Sequence, residues 1–172
     1  MQIIPIKNSE KLEILYGVGD SEFGLCFIAW TGQGVCFLGF GNEQITPNII
    51  AEMKNLWQKS SFQEESAQAK KLITAIFKEE NQPDLIVAGT DFQIKVWKAL
   101  LKIKSGTTMS YESFAKQVGG INYTRAAASA IAKNNISYLI PCHRVIHKSG
   151  NINKYRWGSE IKTKLLNWEL KK

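Results

Sequence analysis

Hydrophobic residues change their spacing at Gly89, and no single type of secondary structure can satisfy both halves of the chain. Ahead of it, residues 12–17, 24–30 and 34–40 are apolar runs rich in aromatic and branched side chains, separated by Gly-containing turns, which read as a β-meander. Thr46-Pro47 supplies an N-cap and a first-turn proline for a helix with Ile49, Ile50, Met53, Leu56 and Trp57 on one face. A second helix carries Leu72, Ile73, Ile76 and Phe77 and should stop at Asn81-Gln82-Pro83, before a short strand at 85–88. Beyond Gly89 the pattern is helical. Thr90 and Gln93 form a capping box in front of Val96, Trp97, Leu100 and Leu101. A short helix begins at Ser110-Tyr111 and ends at Gly119-Gly120; Asn122 or Thr124 can cap an alanine-rich helix running to Ala132. The expectation is an α+β chain of two domains, 1–89 and 90–172, the second with helix-turn-helix spacing.

Charge divides at the same place. Residues 1–90 hold 7 Lys+Arg against 11 Asp+Glu, and residues 91–172 hold 15 against 4, so the formal charge of +7 lies wholly in the second half. Segregation of this kind points to an acidic partner for that half, and nucleic acid is the commonest. Hydrophobic content of 44%, with five Trp and eight Phe, excludes a disordered chain. No apolar run approaches the ~20 residues of a membrane span, and the N-terminus lacks signal-peptide character, so a cytoplasmic protein is expected. Cys26, Cys36 and Cys142 match neither a zinc framework nor a redox pair, and the two His, His143 and His147, are too few for a metal site. No cofactor and no metal are expected.

The chemistry concentrates in residues 134–146, where Cys142, His143 and Arg144 follow an apolar stretch that reads as a strand. A nearby base or cation can make a thiol nucleophilic, although a Cys in such a run, taken alone, is more often a buried inert side chain. Neighbouring strand residues face opposite ways, so contact between Cys142 and His143 requires a turn or a bridging water. In the last helix Ile161, Leu165 and Glu169 fall on one face, which turns Glu169 inward, where an imidazole N–H is a natural partner. The five Trp fall mostly on apolar stripes and read as core and lid packing.

The segment Ile140-Pro141-Cys142-His143-Arg144-Val145 resembles the active-site motif of the methylated-DNA–protein-cysteine methyltransferases, and most of all the Ogt proteins and the alkyltransferase half of the Ada proteins. Asp91-Phe92-Gln93, Ser110-Tyr111, Thr124-Arg125-Ala126, Tyr155-Arg156-Trp157-Gly158 and Lys164-Leu165-Leu166 with Glu169 stand in the family's order. The resemblance implies a ribonuclease-H-like N-terminal roll and a winged-helix-like C-terminal domain. It implies a monomer that flips an alkylated guanine out of double-stranded DNA and takes its 6-O-methyl group onto Cys142 once, with 4-O-methylthymine a poorer substrate. His143 would be the base acting through a water, Glu169 its orienting partner and Asn134 the hinge. Tyr111, Arg125, Ala126, Ala127 and Arg144 would serve DNA or substrate, while Ile140, Val145, Tyr155 and Gly158 would shape the alkyl pocket. Non-enzymatic lesion-binding relatives are the alternative; they lack the Cys that stands at 142. A cysteine hydrolase has the right residue types, but no oxyanion hole is visible in the sequence. Asn135 replaces a common Pro, which should soften the hinge, and the loop Asn151-Ile152-Asn153-Lys154 replaces a more usual Gly, which should narrow the range of alkyl groups. Family members with structural zinc use N-terminal His, and none precedes His143 here.

Overall fold

A computed structural model describes residues 1–7, 9–80, 82–152 and 155–172. The chain is a mixed α/β protein of two compact units, Met1–Gly89 and Thr90–Lys172.

The first unit is built on strands β1 (Ile3–Pro5), β2 (Glu13–Ser21), β3 (Gly24–Thr31), β4 (Gly34–Gly41), β5 (Ser61–Glu64) and β6 (Leu85–Val87), with helices α1 (Thr46–Leu56) and α2 (Ser66–Phe77). They form one six-stranded sheet in the order β1-β6-β4-β3-β2-β5. The expected meander β2-β3-β4 is its antiparallel centre, with Val18 opposite Phe27 and Ile28 opposite Leu38. Cys26–Trp30 and Val35–Phe40 are buried without interruption, which is why those runs are apolar rather than alternating. β1 and β5 were not legible: three residues ending in Pro, and a four-residue strand with one apolar side chain, carry no periodic signal. Both add to the sheet in parallel, β1 beside β6 and β5 beside β2.

α2 lies close over β2 because Gly17 has no side chain; a Cβ there would come within 2.7 Å of Ala69 Cβ. Thr46 does not cap α1. The cap position is Ile45, and the Thr46 hydroxyl instead donates to Asn42 O at 2.8 Å. α2 likewise stops earlier than expected, since Glu79 turns left-handed at φ +59° and Glu80 N closes onto Ala75 O. Of the expected stop signal, Asn81 lies outside the described residues.

The second unit holds α3 (Asp91–Leu100), β7 (Met109–Ser110), α4 (Tyr111–Val118), a 3-10 turn (Ile121–Tyr123), α5 (Thr124–Ala132), a second 3-10 turn (Cys142–Arg144), β8 (Val145–Ile146) and α6 (Ser159–Glu169). The capping box of α3 forms in both directions, Thr90 with Gln93. Trp97 Nε1 donates to Ala130 O at 3.0 Å and ties α3 to α5. Neither Asn122 nor Thr124 caps α5: its cap position is Tyr123, and the 3-10 turn runs directly into the helix while Thr124 donates to Ile121 O. β7 and β8 pair in parallel, Met109 with Val145, which brings the start of α4 beside the Cys142–Arg144 turn.

Gly34 is the tightest point of the first unit. Its φ is +153°, and a Cβ would fall 2.2 Å from Asp84 O, the acceptor of the Val35 N–H. Gly34→Ala should therefore lower unfolding stability by about 1–3 kcal/mol, read as a reduced midpoint in urea at unchanged slope.

Candidate active site

The residues before Cys142 form turns, not the expected strand. A strand would send Cys142 and His143 to opposite faces. Cys142–Arg144 form instead one turn of 3-10 helix, with Arg144 N bonded to Pro141 O at 3.1 Å, and all three side chains turn into the unit. Asn134 fixes the preceding loop. Its Oδ1 accepts from Ile136 N at 2.9 Å, and its Nδ2 lies within reach of Ile140 O at 3.0 Å and of Cys142 Sγ at 3.2 Å.

α6 brings in the carboxylate. Glu169, 4% exposed, accepts from His143 Nε2 at 2.7 Å and from Gly106 N at 3.2 Å. Arg144 meets both its oxygens, Nε at 3.0 and 3.1 Å and Nη2 at 2.8 Å, while its Nη1 holds Ile103 O. Arg144 was expected to serve DNA or substrate; its guanidinium is instead bonded to Glu169 and to a main-chain carbonyl. The Glu169 bond assigns the proton of His143 to Nε2 and leaves Nδ1, fully buried and with no hydrogen-bond partner among the described residues, as the basic nitrogen.

Burial pushes Glu169 up, but its bonds from His143 and Arg144 outweigh that and hold it at about 2. Burial also lowers His143, against the opposing pull of Glu169, so the imidazole is neutral at pH 7. The Cys142 thiol is raised by burial, with Asn134, Tyr155 and Lys162 opposing.

Cys142 faces a cavity of about 290 Å³ lined also by Tyr111, Asn134, Tyr155, Trp157 and Lys162. Tyr111, the first residue of α4, is held by the Ser110 cap, and its hydroxyl is raised by burial and by Cys142. Tyr155 places its hydroxyl 3.9 Å from Sγ and 2.5 Å from the Ser137 hydroxyl. Val145 and Ile140, expected to shape the pocket, are fully buried and are not among the residues that line the cavity. Gly158 stands at the N-cap of α6 with φ +95°, a left-handed conformation that glycine adopts without strain. On α5, Arg125 and Ala126 are exposed, but Ala127 is not: it packs inward with Ala130 and Ile131, so it cannot line a DNA face. Asn135, which stands where Pro is common, accepts at Oδ1 from Arg156 Nη1 at 2.6 Å, a bond that proline could not make. Of the loop Asn151-Ile152-Asn153-Lys154, Asn153 and Lys154 lie outside the described residues.

Three residues of the site escaped the sequence reading. Lys162, 2% exposed, donates to Val145 O at 2.6 Å. Its signal was available, since it shares the buried stripe of α6 with Leu165 and Glu169. Ser137 and Tyr138 had none: the Ser137 bond and the Tyr138 ring, parallel to His143 at 6.4 Å and 13°, arise from tertiary folding. Tyr138 takes a left-handed φ of +64°. Among the described residues no group of three or more His, Cys, Asp or Glu is arranged to hold a metal ion, and no helix is long and apolar enough to cross a membrane.

Residues 91–171 match the family model for the 6-O-methylguanine DNA methyltransferase DNA-binding domain. The methylated-DNA–protein-cysteine methyltransferase of Methanosarcina acetivorans is 32% identical over 157 residues, covering 90% of this chain and 97% of that protein. The bifunctional transcriptional activator and DNA repair enzyme Ada of Escherichia coli is 33% identical over 94% of this chain; the chain spans about half of Ada's length, 47%. The crystal structure of Mycobacterium tuberculosis OGT in complex with DNA superposes with a TM-score of 0.71 at 32% identity, covering 91% of this chain and 93% of that one. The chain belongs to the methylated-DNA–protein-cysteine methyltransferase family.

Both pKa shifts in the buried pair are downward, so the unfolded chain binds more protons than the folded one and acid must destabilise the protein. Stability should begin to fall below about 6.5, where His143 would charge on unfolding, and fall further from 4.5 towards 2 as Glu169 is protonated. Urea midpoints measured across this range should show the second loss in the wild type and not in Glu169→Gln.

Proposed function

We propose that this protein repairs duplex DNA by moving the methyl group of 6-O-methylguanine, and less readily that of 4-O-methylthymine, onto Cys142 in a single irreversible event. One observation carries the proposal: a buried thiol faces a cavity, and the residue after it is a buried imidazole whose proton a fixed carboxylate holds on Nε2. The Mycobacterium tuberculosis relative crystallised with DNA, together with the excess of 15 cations over 4 anions in residues 91–172, supports duplex DNA as the partner.

A stacked base offers no in-line path to its 6-oxygen substituent, so the nucleotide must leave the helix, at a cost of roughly a few kcal/mol. Arg125, exposed on α5, fills the gap, and the small side chain of Ala126 lets the helix approach the minor groove. The Cys142 proton passes through a water to His143 Nδ1, and Glu169 stabilises the imidazolium. The thiolate then attacks the methyl carbon: a C–S bond forms, the C–O bond breaks, and its electron pair goes to the guanine ring. Tyr111 donates a hydrogen bond to that ring as it leaves, and the proton lost by the thiol ends on guanine. Lys162 holds the Val145 carbonyl at the pocket and opposes the desolvation of the thiolate. The thioether has no route to hydrolysis, so each molecule reacts once.

The lesion-binding alternative is not favoured, because the nucleophile is present and has a base. We read the first unit as ribonuclease-H-like and the second as a winged-helix-like catalytic domain, in a protein acting as a cytoplasmic monomer without a cofactor.

Incubation with a duplex carrying one methylated guanine should add one methyl to the peptide containing Cys142 and none in Cys142→Ser, by mass spectrometry. A duplex that binds without modifying Cys142 would refute transfer. His143→Gln should slow the step by roughly 10²–10⁴-fold, the usual share of a positioned base, in single-turnover kinetics.

A further inference from the structure

Two large apolar side chains stay in water at the turn leading into α5. Ile121 is 54% exposed and Tyr123 47%, and both belong to the 3-10 turn that Gly120 precedes. Exposed apolar residues scattered singly need no account, but these two belong to one three-residue turn, Tyr123 two residues ahead of the exposed Arg125 and Ile121 four. The Tyr123 ring is also held in place. Phe92 lies 5.7 Å away between ring centroids, inclined at 34°, and a Cβ on Gly119 would fall 3.0 Å from the ring. A supported ring loses little freedom on contact with a partner, so its exposure is pre-organised for binding. The charges around it select the partner's chemistry. The helices about the turn, α3, α4 and α5, hold Lys95, Lys98, Lys116 and Arg125 against Asp91 and Glu112. An apolar projection among cations suits a polyanion with apolar sugar and base surfaces between its phosphates.

We propose that Ile121 and Tyr123 form an apolar wedge that enters the minor groove of duplex DNA beside Arg125. It presses on sugars and base edges next to the gap and holds the duplex open while the nucleotide is out. The inference rests on the reading that this protein acts on duplex DNA, and it assigns the start of α5 two adjoining tools of different chemistry. Arg125 substitutes for the absent base; the wedge resists closure of the neighbouring step.

The test compares methyl transfer to Cys142 from a duplex carrying methylated guanine with transfer from the free methylated base, in single-turnover kinetics. For Ile121→Ala/Tyr123→Ala the ratio of duplex to free-base rate should fall about tenfold, the scale of one lost stacking contact. Tyr123→Phe should restore it, since the ring and not the hydroxyl makes the contact. The salt dependence of duplex binding should keep its wild-type slope, because no cation is removed. An unchanged ratio would overturn the wedge, and so would an equal loss on both substrates, which marks a structural role. If the wild type transfers no methyl at all, it is the reading of function that fails. Fluorescence anisotropy with the same duplex then decides the wedge separately: weaker binding by the double variant supports it, and equal binding overturns it.

Discussion

Glu169 is a carboxylate taken out of water at the end of α6, and the surroundings of Cys142 are arranged around the need to satisfy it. An isolated carboxylate in such a place would be protonated or would unfold the helix end. Here His143, Arg144 and Gly106 share its two oxygens, so one residue anchors the 3-10 turn, the helix and the loop after Ile103. The same bonds decide which imidazole nitrogen carries a proton. Stability and chemistry therefore rest on one charge: what makes the buried carboxylate tolerable also makes the histidine a base.

The thiol is controlled by a second balance. Burial disfavours its ionised form, while Asn134, Tyr155 and Lys162 favour it. These come from three places in the chain, and two of them, Asn134 and Tyr155, lie in segments bonded to each other: Ser137 to Tyr155, and Asn135 to Arg156. The loop before the nucleophile and the loop before α6 are thus braced together, and the cavity wall is set by polar contacts as much as by apolar packing.

Much of this was readable in the chain itself, for identifiable reasons. The meander and the helical stripes are periodic, the Thr90–Gln93 box is a local reciprocal contact, and the inward turn of Glu169 followed from its spacing to Leu165. Local rules failed where tertiary contacts overrode them. Thr46 and Thr124 have the right chemistry for caps but lie one residue inside their helices. Residues 136–141 have strand-like composition yet are coiled by Asn134 into turns, and the 3-10 turn that follows lets Cys142 and His143 both be buried, where a strand would have sent them to opposite faces. The resemblance assigned Arg144 to DNA or substrate, whereas its guanidinium is bonded to the buried acid. Ala127 was grouped with Ala126, though adjacent positions on a helix are about 100° apart and only one can lie on a given face.

The Cys142 side chain is only 6% exposed. If the protein reacts once, as proposed, each encounter with a stray electrophile would remove a molecule from the active population. A thiol that is covered, and that burial inclines to stay protonated, is a poor target for small alkylating agents in solution. Its reactivity is expressed only towards a group delivered into the cavity. On the proposed function, burial would discriminate between damage already fixed in a polymer and the reagents that caused it, and would lengthen the time for which an unreacted molecule remains fit for use.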